Sequence, residues 1–189
     1  MRRLVCAGAL LVVLSGLAQA REEREAPNLV TLAAVPAQAL FSPWDDIEAA
    51  VVACLRAARR QVLVQAFSFT SRPIARALIE AKSRGVDVRV TADASETDRI
   101  ENGRIPELAA AGIPVFIEER YQSAHNKVMV IDAGSPRGTV ITGSFNWTFA
   151  AQRRNAENVL ILSDQPALAD RYRLNWERHR AEARPYSPR

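Results

Sequence analysis

Apolar residues along the chain follow two periods in turn, one suited to helices and one to strands. Ile47, Val51, Leu55 and Ala58 recur about every four residues and predict a helix with one apolar face. Ser42-Pro43 followed by Asp45 and Asp46 reads as its start, with a cap, a proline in the first turn and acids at the positive end of the dipole. Arg59-Arg60 closes it. Gln61 to Phe69, rich in Val, Leu and Phe, suits a buried strand. Pro73 to Arg84 reads as a helix stopped by Gly85, and Val86 to Thr91 as the next strand. A helix around Ile105 to Ala111 ends at Gly112, and Ile113 to Ile117 makes a short strand. This alternation of strand and helix predicts an α/β sheet covered by helices. The pattern then changes: Lys127 to Ile131 and Gly138 to Thr142 are apolar runs joined by the turn-forming Asp132 to Arg137, a predicted hairpin. Val159 to Leu162 supplies a further strand, and Gln165 to Arg180 a closing helix with Leu168, Tyr172 and Trp176 on its apolar face.

The first 20 residues stand apart from this pattern. Arg2 and Arg3, the apolar run Leu4 to Leu17 and the small-residue site Ala18-Gln19-Ala20 read as a cleavable export signal, too short to cross a bilayer as a helix. Residues 21–36 are charged and then Ala- and Pro-bearing, without a period, and are expected to form a mobile lead-in. The organised domain is placed at residues 37–184, with 185–189 as a tail. Without the signal, 169 of the 189 residues remain, enough for one domain with a real core. Loss of Arg2 and Arg3 lowers the formal net charge from +4 to +2, which permits a phosphate-rich partner without demanding one. Cys6 leaves with the signal, so Cys54 has no internal disulfide partner and is expected to be a buried, inert thiol.

Chemistry concentrates in one stretch: His125-Asn126-Lys127, then Asp132, then Gly143-Ser144-Phe145-Asn146, then Glu157. On a strand, His125 and Lys127 would project from the same face. An imidazole beside a fixed ammonium suits attack on a phosphodiester, because the cation offsets the repulsion between the nucleophile and the anionic oxygens. Ser144 and Asn146, again two apart, can donate hydrogen bonds to the same oxygens. Glu157 is the natural partner for the far ring nitrogen of His125. Asp132, at a strand end, takes a supporting role, holding the loop or Lys127.

His-x-Lys-x4-Asp followed by Gly-Ser-x-Asn resembles the motif of the phospholipase D superfamily, the HKD motif, and is most similar to its small bacterial endonucleases. Ala66 to Thr70, Ala81 to Val88, Gly112-Ile113-Pro114 and Asn155 to Asn158 look like further segments of those nucleases. The resemblance implies a single-domain mixed β-sheet flanked by helices on both faces. It also implies an active site completed by homodimerisation, with His125, Lys127, Ser144, Asn146, Glu157 and Asp132 as site residues. No cofactor and no metal is required by the mechanism it implies. Ten residues separate Asp132 from Gly143 where the family commonly has about six, and a longer hairpin tip is expected there.

That chemistry uses two histidines, one attacking phosphorus and one protonating the leaving oxygen. Beyond His125 the chain offers only His179, expected to be a solvated helix-end residue, so the second imidazole would come from a second copy across a two-fold axis. Asp93, Glu96 and Asp98 are read as a solvated loop leading to a helix, since no His or Cys lies nearby to complete a zinc spacing. Trp147 and Phe67 are read as core, and Arg153 and Arg154 either touch a nucleic-acid backbone or form a solvated pair. The expected function is a phosphodiesterase outside the cytoplasm, periplasmic or secreted. It would be a nonspecific endonuclease acting on DNA, with RNA a further candidate. The alternatives are a phospholipase D-type lipid phosphodiesterase and a catalytically inactive nucleic-acid-binding homologue. No amphipathic segment with a basic face points to a bilayer.

Overall fold

Along strand β2 (Gln61–Ala66) the side chains divide between two cores. Val62, Val64 and Ala66 join Ile47, Val51 and Leu55 of helix α1 (Ile47–Ala57) and Ile74, Leu78 and Ala81 of helix α2 (Arg72–Ser83). Leu63 points the other way, into a smaller cluster with Val128, Val130, Val140, Ala169 and Trp176. This is the period of two expected of a strand buried on both faces. Burying such aliphatic side chains contributes about 1.5–3 kcal/mol each before entropy is counted.

The computed structural model describes residues 37–188, so the expectations for the export signal and the lead-in fall outside the described residues. The remaining elements are β1 (Ala37–Ser42), β3 (Asp87–Asp93), α3 (Ala94–Arg99), α4 (Ile105–Ala110), β4 (Val115–Glu118), β5 (Lys127–Ile131), β6 (Thr139–Gly143), α5 (Phe149–Arg153), β7 (Glu157–Leu162), α6 (Pro166–Glu182) and β8 (Arg184–Pro185). The strands form one mixed sheet in the order β1-β7-β6-β5-β2-β3-β4-β8. Its β2-β3-β4 part is parallel and the rest antiparallel. Helices α1 and α2 cover one face and α6 the other, the single-domain mixed α/β architecture expected.

Local chemistry explains where the boundaries differ from the pattern. Ser42 does not cap α1; it ends β1, is buried, and donates its hydroxyl to the Ala151 carbonyl at 2.7 Å. Asp46 takes the cap, accepting from the Ala49 N–H at 3.0 Å. β2 stops at Ala66 and not at Phe69, because the Phe67 N–H turns to the Asn126 carbonyl and the Thr70 and Ser71 N–H groups to that of Trp147. Ser71 then caps α2, accepting from the Ile74 N–H. The hairpin appears as expected, with β5 spanning the predicted Lys127–Ile131 and its tip at residues 132–138. Cys54 is half-buried, and burial pushes its thiol up. Trp147 is fully buried, its indole donating to the Gln65 carbonyl at 3.0 Å, which fixes it as core.

Candidate active site

Parallel and antiparallel registers bring five strand ends to one edge of the sheet. Ala66 at the end of β2 pairs with Lys127 at the start of β5 and with Ala92 near the end of β3. Val128 pairs with Thr142, and Gly143 at the end of β6 pairs with Val159 near the start of β7. The motif residues, separated by as many as 32 positions in sequence from His125 to Glu157, are gathered there by topology.

His125 stands exposed on the approach segment before β5, two residues short of the strand on which it was expected. Its relation to Lys127 is still close, through Phe67. The His125 ring lies 4.4 Å from the Phe67 ring centre, and the Lys127 ammonium sits 4.5 Å from the same centre. Lys127 also donates to the His125 carbonyl at 2.7 Å. Phe67, read as core from the sequence, is thus a wall of the site. Lys127 is only 5% exposed, and that burial pushes its pKa down to about 8, with the carboxylates of Glu157, Asp93 and Glu96 opposing the fall.

Ser144 and Asn146 follow β6 in a loop that needs glycine at its root. A Cβ on Gly143 would lie 2.2 Å from the Asn158 carbonyl oxygen, inside contact distance. That approach lets the Asn158 N–H and Nδ2 reach the Ser144 hydroxyl oxygen at 3.1 and 3.3 Å, leaving the hydroxyl proton to donate outward. Asn146 turns its Oδ1 toward the Ser68 N–H, 3.4 Å away, which leaves its amide protons available. Glu157, half-buried at the start of β7, does not make the expected hydrogen bond to the His125 ring within one chain. Its Oε1 accepts from Asn155 Nδ2 at 2.9 Å.

Asp132 lies at the opposite end of β5, about 17 Å of strand from Lys127. Its carboxylate accepts from the backbone N–H groups of Arg59, Arg60 and Gln61 at 2.7–3.2 Å. It holds the loop between α1 and β2, and of its two expected supporting roles it does not hold Lys127. The enlarged hairpin tip follows Asp132, so the extra residues lie at the far edge of the sheet from the motif.

Two expectations are corrected. His179 is not solvated: its side chain is 16% exposed and Nδ1 lies 2.6 Å from the buried Glu118 carboxylate, with the Tyr121 ring alongside. Nor is the acidic run a solvated loop. Asp93 and Glu96 are 2% and 7% exposed, at the end of β3 and in α3. Both carboxylates come near the site, and nothing in their spacing announces it, because Asp93 ends β3 and Glu96 lies on a short helix that the apolar pattern does not reveal. Among the described residues no group of three His, Cys, Asp or Glu side chains is arranged to hold a metal ion.

An exposed imidazole, a cation held beside it, and a hydroxyl and an amide on the neighbouring loop make a site for an anion with a nucleophile in reach. The profile of the family described as "Cardiolipin synthase, PLD-like domain" matches residues 51–180, which contain every one of these groups. The chain belongs to the phospholipase D-like family. Its fold is similar to that of Nuc, a phospholipase D family member from Salmonella typhimurium, with a TM-score of 0.74 and 30% identity over 81% of this chain and 99% of Nuc. NucT from Helicobacter pylori, at 22% identity and a TM-score of 0.70, shares the fold. Among curated proteins, a phospholipase D of Rickettsia conorii is 43% identical over 66% of this chain, and the chain spans 59% of that relative's length. A mitochondrial cardiolipin hydrolase of Xenopus tropicalis is 35% identical over 69% of this chain and 59% of its own.

Proposed function

We propose that this phospholipase D-like chain is an exported phosphodiesterase that cleaves nucleic acid, DNA foremost, through a covalent phosphohistidine on His125. The observation that carries the reading is the convergence of His125, Lys127, Ser144, Asn146 and Glu157 on one open edge of the sheet. His125 Nε2 attacks phosphorus and expels one oxygen of the diester. A protonated imidazole gives that oxygen its proton, then takes one from water as the water's oxygen attacks the phosphohistidine. Lys127, Ser144 and Asn146 face the non-bridging oxygens, whose charge grows in the transition state. The second imidazole is assigned to His125 of another copy, since His179 is engaged with Glu118. Groups that read phosphate and not base edges predict little sequence preference. The export signal read over residues 1–20 puts the work outside the cytoplasm.

The resemblance of the motif and its flanking segments to the small bacterial endonucleases of the superfamily favours the nuclease reading, and the match to the phospholipase D family member Nuc covers 99% of that protein. The phospholipase D and cardiolipin hydrolase names of the curated relatives favour a lipid substrate instead. One experiment separates the two. The mature protein is given supercoiled plasmid or phospholipid vesicles, each with a strong chelator present. Plasmid nicking faster than head-group release is expected; the opposite order assigns the lipid. His125→Ala should reduce either activity by about 10⁴-fold with the fold intact, and near-normal turnover in that variant removes His125 as nucleophile.

A further inference from the structure

The segment that carries His125, residues 119–126 between β4 and β5, has no regular secondary structure of its own. A nucleophile on such a segment needs its backbone fixed from outside, since a displacement of about 1 Å can cost on the order of 100-fold in rate. Three contacts do this. The Phe67 N–H holds the Asn126 carbonyl at 3.1 Å and Lys127 holds the His125 carbonyl. The third comes from a buried acid: Asp93 Oδ2 accepts from the Ala124 N–H at 2.7 Å, one residue before the histidine.

Asp93 is the end of β3 and the cap of α3, and its two oxygens divide the labour. Oδ1 accepts from the Glu96 N–H at 2.9 Å and the Ser95 hydroxyl at 2.6 Å, which is all that capping α3 requires. Oδ2 is left for Ala124. Burial works to raise the Asp93 pKa, but hydrogen bonds from Ser95, Glu96 and Ala124 outweigh it and hold the carboxyl below its ordinary range. From α3, Glu96 reaches the other half of the motif. Its Oε2 receives the Ser68 hydroxyl in a short hydrogen bond, while the Ser68 N–H faces Asn146 Oδ1. Arg99 binds the remaining oxygen, Oε1.

We propose that Asp93 and Glu96 are positioning residues of the active edge, Asp93 fixing the His125 segment through Ala124 and Glu96 fixing Asn146 through Ser68. Both also add negative potential at the buried ammonium of Lys127. The proposal rests on the reading of His125 as nucleophile for its catalytic consequence, but not for the clamp itself. Neither residue touches substrate, and neither lies within the His-x-Lys or Gly-Ser-x-Asn elements.

Asp93→Asn keeps one oxygen for the α3 cap and turns an amide donor, or nothing, toward Ala124. It is compared with Glu96→Gln and the unaltered chain by amide hydrogen exchange and by hydrolysis of bis(p-nitrophenyl) phosphate across pH. In Asp93→Asn the Ala124 amide is expected to exchange at least about 10-fold faster while Val128 to Ile131 keep their protection. Its kcat should fall roughly 100-fold with KM within about twofold. In both variants the loss of activity on the alkaline side should begin at lower pH, because Lys127 has lost a neighbouring carboxylate. A mere cap for α3, which the oxygen remaining in Asp93→Asn would still serve, would move neither the Ala124 exchange nor kcat. Unchanged Ala124 exchange together with kcat within about twofold of the unaltered chain overturns the proposal. Should Asp93→Asn fail to fold, Glu96→Ala, which leaves the Ser68 hydroxyl without its acceptor, decides: kcat within about twofold of the unaltered chain overturns the proposal. If the unaltered chain hydrolyses no phosphodiester, the functional reading fails, and Ala124 exchange alone still tests the clamp.

Discussion

Burial takes the Lys127 ammonium out of water and brings its pKa to about 8, so near that pH half the molecules lose the cation the proposed attack depends on. The sign is that of a depressed base: the charge is present below about 8 and lost above it, well before an exposed lysine at about 10.4 would lose its own. The imidazole pair imposes its own acidic and alkaline limbs, which belong to the pair and not to either ring. Lys127 therefore adds a second ionisation on the alkaline side. The log of kcat/KM should fall more steeply than one unit per pH unit above about pH 8. In Lys127→Arg, where the cation persists past about pH 12, the slope should return toward one even though turnover is lower. Equal slopes in the two proteins would show that Lys127 does not need its charge.

Asp132 shows how an element, not a residue, uses a motif position. Its carboxylate gathers three successive backbone N–H groups where the chain leaves α1 and enters β2, and it adopts φ 52° to do so. Removing the acceptor leaves those donors short of partners, so Asp132→Ala should cost about 2–4 kcal/mol of stability, read from the denaturant midpoint. At about 17 Å of strand from Lys127, the folded fraction should keep its kcat, and a large kcat loss in fully folded protein would return Asp132 to the active edge. Elements with long apolar periods, α1, α2, β2, β5 and α6, could be read from the sequence because each buries a regular stripe. β1, α3, α5 and β8 could not. β1 is exposed along most of its length, α3 buries only Glu96, and α5 and β8 are too short to carry a period. The same blindness hid Asp93 and Glu96. Buried carboxylates satisfied by backbone and hydroxyl donors look, in sequence, like a solvated acidic run. The motif residues themselves were legible, because their spacing carries chemistry regardless of packing. The segments that carry Phe67, Ser68 and Asn158 were part of the resemblance, but their contacts with the motif are set by tertiary pairing that no local pattern encodes.

At the scale of the whole molecule the sheet is covered unevenly. α6 packs over β2, β3, β4, β5 and β6, while the same face of β7 and β1 exposes Leu160 and Phe41, with Trp44 standing 82% exposed just beyond. This open face adjoins the edge that holds Glu157 and Ser144, so a second copy seated there would cover apolar surface beside the motif. If the site needs His125 from both copies, activity depends on pairs and not on chains. Unaltered protein co-folded with a large excess of His125→Ala should then lose nearly all its activity, because almost every unaltered chain is paired with a defective one. With equal amounts, about a quarter of the pairs remain intact, and activity per pair should follow that fraction. A chain that worked alone would instead keep activity in proportion to the unaltered chains, one half in the equal mixture. The two outcomes differ by about twofold at equal mixing and diverge without limit as the variant is added, so a single titration decides whether the reacting unit is one protomer or two.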